Sequence, residues 1–301
     1  MNALVVGGGV IGLSIALELS QRGADVTVYD TGEPGRAASW AAAGMLAPRT
    51  ERLANAQMQE LCERSLSLYP SYAQRVHEMS GVDPHLRLNG IINAAFDDAS
   101  FERMGEHAGV LSASGGRVQL LSRSDLLFTE PALSARVRGG MLLEGEGQID
   151  NRRLGRALLA ACTSRGVRVE TNVRELQLEF DSRRLLGVRT SRGFRAADAA
   201  VNAAGAWASH VAGVPQECNV PVRPVKGQML ALQLPAGMVR RTTWIPGAYL
   251  VPRDDGRLLV GATVEDADDV RVTAGGVDAL LHAATAAAPA LRDFAISEMW
   301  A

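Results

Sequence analysis

The stretch LVVGGGVIGLSIALELSQRGADVTVYD, residues 4–30, decides the fold of this 301-residue chain. Its first part, Leu4 to Val6, is a short apolar run of the buried-strand type, and it leads into Gly7 to Gly12, which fits the pattern G-x-G-x-x-G. An apolar run with helical spacing follows, and the alternating segment Asp25 to Asp30 ends in a carboxylate. Strand, glycine-rich loop, helix and strand in this order are typical of a dinucleotide-binding βαβ unit.

Each glycine of this loop has a physical task in such a unit. Gly7 permits the tight turn from strand to helix, Gly9 lets the backbone approach a pyrophosphate, and Gly12 lets the helix pack close to the strand. The helix N-terminus offers free N–H groups and a positive dipole end to the phosphates. Asp30 stands eighteen residues past Gly12, where an acid can bond a ribose hydroxyl pair.

Two other interpretations apply to this stretch: a glycine-rich turn in an α/β protein without a nucleotide, and a signal peptide or membrane span. Residues 3–19 are mostly apolar, but no Lys or Arg precedes them, glycines interrupt them and Glu18 lies inside them. A membrane span also needs about 20 consecutive apolar residues. We therefore expect a dinucleotide-binding protein and no membrane partner.

The composition is that of an ordinary globular protein, with 47% hydrophobic and 21% charged residues. The length allows one large or two medium domains. A net charge of −2 gives no global attraction to nucleic acid, so no nucleic-acid partner is expected. Lys226 is the only lysine; its charge could aid oxygen activation, but a solvent-facing lysine at a strand end is the commoner role.

Cysteines and histidines give no sign of a metal site. Cys62, Cys162 and Cys218 are far apart and form no CxxC pair, so neither a disulfide framework nor a zinc site is expected. The five histidines form no HxH or HExxH pattern. Isolated cysteines suit a reducing compartment, which predicts a cytoplasmic protein.

The rest of the chain alternates helical and strand patterns. The sequence predicts helices at residues 51–80, 101–112, 151–165 and 277–287, and strands at 88–96, 140–144, 167–170, 173–180, 185–190, 193–197, 199–203, 229–234, 248–252, 257–262 and 296–300. The three short strands between 173 and 197 predict a meander. A meander after a strand, phosphate loop, helix and strand is the order found in the flavoprotein variant of the Rossmann domain.

The segment AASWAAAGMLAP, residues 37–48, is rich in small side chains. Such a run leaves the backbone exposed for close contact with a flat ligand. The other interpretation is a buried helix of small residues packed on the sheet.

With these segments placed, the chain resembles the D-amino-acid-oxidase superfamily of FAD enzymes and, within it, the glycine oxidases. The segments that carry the resemblance are residues 5–12 with Asp30, 38–48, 147–154, 224–228, 249–253 and 256–263. The similarity extends over nearly the whole chain.

The resemblance implies an α/β fold of two domains. A Rossmann-type, glutathione-reductase-like FAD-binding domain is expected from residues 1–85 and 140–219, and an antiparallel-sheet α+β substrate domain from residues 86–139 and 220–301. In the family, an arginine that clamps the substrate carboxylate and the last strand of the FAD sheet follow the position of Trp300. We therefore expect that this chain lacks the family's C-terminal segment.

The resemblance also assigns roles to individual residues. FAD contacts are expected at Gly7, Gly9, Val10, Ile11 and Gly12 (pyrophosphate), Asp30 and Thr31 (adenosine ribose), Ala38 and Ser39 (diphosphate and ribityl chain), Ala43, Gly44 and Met45 (isoalloxazine ring) and Val173 (adenine end). Family members more often carry Glu at the position of Asp30. Tyr249 matches the family's substrate tyrosine, whose hydroxyl helps hold the substrate carboxylate; an ordinary core aromatic is the alternative. Gly247 stands where some members have a histidine near the substrate entrance.

The activity implied is the FAD-dependent oxidative deamination of glycine, sarcosine or small D-amino acids to an imine or 2-oxo acid. Dioxygen would be the electron acceptor and peroxide a product, and glycine imine would supply thiamine thiazole synthesis. The family is often tetrameric, which makes a homotetramer the expected assembly. Two alternatives stay open: a D-amino-acid dehydrogenase that passes electrons to a quinone, and a truncated, non-catalytic FAD-binding chain. Because the flavin carries the chemistry, no side-chain acid or base is required.

Overall fold

The computed structural model describes residues 1–51, 53 and 55–301. They divide into two compact units: unit 1 comprises Met1–Ala42, Ser71–His85 and Asn151–Val225, and unit 2 comprises Ala43–Pro70, Leu86–Asp150 and Lys226–Ala301. The division expected from the sequence differs mainly at residues 43–70 and 140–150, which it assigns to the first domain. These residues fall in unit 2, where a short strand at 45–46 pairs with one at 147–148.

Helices and strands alternate along the described residues. The helices are α1 (Val10–Gln21), α2 (Ala38–Ala41), α3 (Ala56–Ser80), α4 (Asp98–Ala113), α5 (Arg123–Thr129), α6 (Asn151–Ser164) and α7 (Ala274–Ala287). The strands are β1 (Asn2–Val6), β2 (Asp25–Tyr29), β3 (Met45–Leu46), β4 (Ile91–Ala95), β5 (Val118–Ser122), β6 (Gly139–Leu143), β7 (Gly147–Gln148), β8 (Arg168–Glu170), β9 (Gln177–Asp181), β10 (Arg184–Thr190), β11 (Gly193–Ala196), β12 (Ala199–Asn202), β13 (Met229–Gln233), β14 (Thr242–Ile245), β15 (Ala248–Pro252), β16 (Arg257–Gly261) and β17 (Ile296–Trp300).

Unit 1 is built on a parallel sheet with the strand order β12-β1-β2-β8. Helices α1 and α6 pack against each other, and they bury Leu13, Leu17, Leu154 and Leu158. The predicted meander is confirmed as the antiparallel sheet β11-β10-β9. Its side chains share an apolar cluster with Leu4 and other residues of the parallel sheet.

Both long helices of unit 1 end as the sequence predicts. Gly23 follows α1 with a φ of 83°, its N–H donates to Ser20 O, and the next N–H, of Ala24, donates to Leu19 O. Gly166 follows α6 in the same way, with a φ of 77°. This pair of hydrogen bonds is the Schellman motif, in which glycine adopts the left-handed conformation without strain.

One predicted strand of unit 1 is shorter than the sequence suggests. The pattern predicts a strand from residue 173, but β9 begins at Gln177. Asn172 and Glu175 have φ values of 53° and 55°, so the backbone turns through the left-handed region before it becomes extended.

Unit 2 is built on an eight-stranded sheet with the order β17-β13-β16-β15-β14-β4-β6-β5. All its neighbours are antiparallel except β14 and β4, which run parallel. Helix α7 packs on one face, where residues such as Leu250, Val260 and Leu280 form the core. Strands β5 and β14 are not predicted by the sequence patterns.

The only lysine of the chain is buried in unit 2. Lys226 is 7% exposed, and its Nζ donates to Asp269 Oδ1 at 2.9 Å and lies 3.5 Å from Glu265 Oε2. These carboxylates hold the pKa of the ammonium group above its ordinary value. The solvent-facing lysine expected from the sequence is therefore wrong: Lys226 ties the segment 264–273 to the start of β13.

Glu130, which follows α5, is the most confined carboxylate of unit 2. It is 1% exposed; Oε2 accepts a hydrogen bond from the Arg240 N–H at 2.9 Å, while Oε1 has no partner within the described residues. Burial raises the pKa of this carboxyl to about 7, although the charges of Arg240 and Arg241 oppose the shift. None of the helices in the described part of the chain is both long and apolar enough to cross a membrane.

Replacing Glu130 with Gln should flatten the dependence of the unfolding free energy on pH. The folded-state pKa, about 7, lies above the ordinary value of 4.5. The stability that comes from protonating Glu130 is therefore complete below about pH 4.5 and is lost as the pH rises through 7, on the order of 3 kcal/mol in total. Urea unfolding at pH 5, 6, 7 and 8 measures the difference between wild type and E130Q. Glu102→Gln, at an exposed position on α4, is the matched control, and equal slopes for E130Q and wild type would contradict the assignment.

Candidate functional site

The glycine-rich loop of unit 1 closes a turn that side chains would block. Gly7 has a φ of 101°, and a Cβ at this position would overlap the carbonyl oxygen of Ala203. A Cβ at Gly12 would overlap the carbonyl oxygen of Gly7. At Gly9 a Cβ would come within 3.1 Å of Ser39 Oγ. The loop thus brings backbone, and no side chains, to the start of α1.

The first turn of α1 keeps its positive character. Gly9 is the N-cap and supplies no side-chain acceptor, and the turn contains no acidic residue. The Val10 N–H donates to Ser39 Oγ at 3.0 Å, whereas the Ile11 side chain is 66% exposed. A helix N-terminus with an apolar, exposed first turn is suited to an anionic group such as a diphosphate.

Asp30 links the two loops at the carboxyl ends of β1 and β2. Its Oδ2 accepts from the Gly8 N–H at 2.7 Å, and its Oδ1 accepts from the Gly32 N–H at 2.8 Å. A carboxylate has about four acceptor positions, so these two hydrogen bonds leave capacity for a ligand hydroxyl. The adjacent Thr31 is exposed. Val173 is buried, and its N–H donates to Asp30 O, so a ligand contact through its backbone falls to the carbonyl group.

Helix α2, which contains Ala38 and Ser39, is fastened to the first turn of α6. The Asn151 amide donates to Ser39 O at 2.8 Å and to Trp40 O at 3.0 Å. The Arg152 guanidinium lies 3.6 Å from the centroid of the Trp40 ring, a cation–π geometry. Asn151 and Arg152 therefore position the serine that caps α1, a role that the sequence patterns did not reveal. Because Ala38 itself is exposed, its backbone is accessible.

Unit 2 contains the other part of the small-residue segment, Ala43, Gly44 and Met45. Gly44 has a φ of 66°, and its carbonyl accepts from the Ile149 N–H at 2.9 Å. Met45 then begins β3, which pairs antiparallel with β7. The expected alternative, one helix over the whole segment, is wrong: only residues 38–41 are helical.

A buried arginine holds this second segment in place. Arg253, 8% exposed, donates through Nη2 to Ala43 O at 2.9 Å and through Nη1 to Ile149 O at 3.2 Å and to Gln148 Oε1. Sequence reasoning did not single out Arg253, although the residue lies inside a segment that carries the family resemblance. Its role depends on side-chain reach across three segments that are distant in sequence.

Tyr249 lies on β15 of unit 2, on the face of the sheet opposite α7. Its neighbours Ala248 and Leu250 belong to the core beneath α7, and alternate side chains of a strand point to opposite faces. A Cβ at Gly261 would lie 2.7 Å from Tyr249 Cε2, so the absence of a side chain there admits the ring. The Trp244 ring packs beside it, with centroids 5.7 Å apart.

The Tyr249 hydroxyl is a donor with a weak partner. It lies 3.9 Å from Met229 Sδ, and a thioether is a poor acceptor. Burial, with a contribution from the negative charge of Glu51, raises the pKa of Tyr249 to about 12. The group therefore stays protonated at neutral pH and can donate to a carboxylate. Gly247, in the turn before β15, has a φ of 80°, which a histidine would adopt only with strain.

The predicted cofactor residues thus fall into two sets. Unit 1 contains Gly7, Gly9, Val10, Ile11, Gly12, Asp30, Thr31, Ala38, Ser39 and Val173, and unit 2 contains Ala43, Gly44, Met45 and the substrate residue Tyr249. Hydrogen bonds connect the members of the first set around α1, and Arg253 fixes the second set.

Comparison with known proteins identifies the family. The model of the family described as "DAO: FAD dependent oxidoreductase" matches residues 2–301. A bifunctional protein ThiO/ThiG from Synechocystis sp. is 36% identical over 307 residues, which cover 99% of this chain and 44% of that protein. Glycine oxidase from Geobacillus kaustophilus is 34% identical over 291 residues, which cover 96% of this chain and 77% of that protein.

The fold agrees with this similarity. The crystal structure of glycine oxidase from Geobacillus kaustophilus superposes with a TM-score of 0.93 at 33% identity, and the match covers 99% of this chain and 80% of that chain. The chain spans less than half the length of the bifunctional ThiO/ThiG relatives. A family match over residues 2–301 and a shared fold lead to one conclusion: the chain belongs to the family of FAD-dependent oxidoreductases.

Proposed function

We propose that the chain oxidises glycine or a similarly small amino acid, such as sarcosine or a small D-amino acid. The observation that carries the proposal is Tyr249, a buried, protonated hydroxyl with a weak thioether partner, on the open face of the unit 2 sheet. The similarity to a glycine oxidase at 34% identity supports the same substrate class.

The residues of unit 1 fit an FAD diphosphate. A loop in which added Cβ atoms at Gly7 and Gly12 would overlap backbone leaves the start of α1 accessible to a ligand backbone. The N-terminus of α1 supplies N–H donors, and the carboxylate of Asp30 has acceptor positions left for a ribose hydroxyl. When bound, FAD supplies the two-electron acceptor for oxidation of the substrate C–N bond.

The chain's own residues orient the substrate and hold the flavin. Tyr249 donates its hydroxyl hydrogen to the substrate carboxylate, and the backbone of Ala43, Gly44 and Met45 contacts the isoalloxazine ring. Orienting the reacting carbon is worth several kcal/mol in such reactions, so no side-chain acid or base is required. The products are an imine, which water converts to the 2-oxo acid and ammonia, and peroxide when dioxygen accepts the electrons.

The cellular role follows from the same relatives. We propose that glycine imine made by this chain supplies thiamine thiazole synthesis, since the chain is similar to proteins named ThiO/ThiG. A reducing, cytoplasmic location suits the free Cys62, Cys162 and Cys218. A homotetramer stays a prediction from the family.

The visible spectrum of the purified chain tests the function directly. We expect a bound flavin whose absorbance is bleached by anaerobic glycine and restored by air with formation of peroxide. Bleaching that is reversed by a quinone and not by air would indicate a dehydrogenase. A flavin that glycine does not bleach would leave a non-catalytic FAD-binding chain, and a chain without affinity for FAD would contradict the proposal.

Tyr249→Phe should raise the KM for glycine and leave kcat less affected. A hydrogen bond to a charged carboxylate contributes roughly 1.5–3 kcal/mol, which corresponds to a KM increase on the order of tenfold to a hundredfold. Tyr69→Phe, a change of the same size on α3, is the control. An unchanged KM in Y249F would remove Tyr249 from the carboxylate site.

A further inference from the structure

Arg253 and Gln148 form the densest buried polar cluster around the small-residue segment of unit 2. Gln148 is buried, and its Nε2 donates to Pro252 O at 2.7 Å while its Oε1 accepts from Arg253. The backbone of Gln148 exchanges two hydrogen bonds with Arg87, at 2.8 and 2.9 Å. The side chains of Gln148 and Arg253 therefore join the β7 strand to the end of β15.

This cluster fixes the carbonyl groups of Ala43 and Gly44. Ala43 O accepts from Arg253 Nη2, and Gly44 O accepts from the Ile149 N–H. In a trans peptide the carbonyl and the N–H of the same plane point in opposite directions. The N–H groups of Gly44 and Met45 must therefore point away from Arg253 and Ile149, respectively.

The strand pairing points to the same direction for Met45. Met45 lies opposite Gln148 in the β3–β7 ladder, and Gln148 uses its own backbone groups on Arg87. Such a pair is the non-hydrogen-bonded type, in which the backbone groups of both residues face away from each other. Two backbone donors, at Gly44 and Met45, are thus turned outward together.

An arginine is suited to this task and a lysine is not. The planar guanidinium donates in fixed directions from two nitrogens, and here those directions lead to Ala43 O on one side and to Ile149 O and Gln148 Oε1 on the other. These three acceptors are uncharged. A buried cation is costly to desolvate, so the arrangement makes sense where backbone direction has to be fixed.

We propose, on the basis of the function proposed above, that Arg253 is a positioning residue that aims the N–H groups of Gly44 and Met45 at acceptor atoms of the flavin ring. Gln148 orients the guanidinium for this purpose. The residue acts through the backbone and does not touch the reacting atoms. Loss of Arg253 weakens recognition of the ring and leaves recognition of the adenosine diphosphate half of FAD, which the α1 loop of unit 1 supplies.

The test compares the binding of FAD with that of ADP, which carries only the adenosine diphosphate half. In Arg253→Met we expect the dissociation constant for FAD to rise roughly tenfold to a hundredfold, with unchanged affinity for ADP. The visible spectrum of the bound flavin should also shift toward that of free FAD. Arg253→Lys should not restore FAD affinity, because one ammonium group cannot donate in both directions. Arg138→Met, which removes an exposed ion pair with Asp98, is the control and should bind both ligands as wild type does.

Two results would overturn the inference: R253M with wild-type FAD affinity and spectrum, or R253M with equal losses of FAD and ADP affinity, which indicates general damage. If R253M does not unfold cooperatively, R253K decides by the same criteria. A wild-type chain that binds neither FAD nor ADP refutes the proposed function instead, so the two failures are distinguishable.

Discussion

Backbone packing without side chains at the end of β1 is the constraint on which unit 1 depends. The carbonyl oxygen of Gly7 occupies the place that a Cβ of Gly12 would need, and the carbonyl oxygen of Ala203 occupies the place that a Cβ of Gly7 would need. Strand β1, helix α1 and the end of β12 therefore meet as bare backbone. This contact fixes where α1 begins, and with it the direction of the helix dipole and of the Val10 N–H that Ser39 accepts.

Local patterns predicted the elements that depend on local physics. The βαβ unit, the meander and the hairpin of β15 and β16 follow from strand alternation, helical spacing and glycine turns, and the structure confirms them. Strand β14 was missed because it has no alternation and is stabilised by pairing with β4, far away in sequence. The early start of the strand at residue 173 was wrong because two non-glycine residues adopt positive φ values, which the pattern does not encode.

The candidate site shows the same limit more sharply. Motif glycines and Asp30 are legible in sequence because their spacing is tied to one turn. The contributions of Asn151, Arg152 and Arg253 are not, because each depends on a long side chain that reaches the backbone of a distant segment. The resemblance carried these residues as letters of a motif without their partners. A polar side chain next to a motif becomes informative only when the structure shows which carbonyl group it satisfies.

The ion-paired Lys226 has a chemical consequence for the folded chain. It is the one lysine in 301 residues, and its amine is enclosed by Asp269 and Glu265. A reagent that acylates unprotonated lysine side chains finds this amine both covered and held in its charged form. Its rate of modification therefore reports how often the segment 264–273 lifts away from β13, so that the protein carries a built-in single-site probe of local opening.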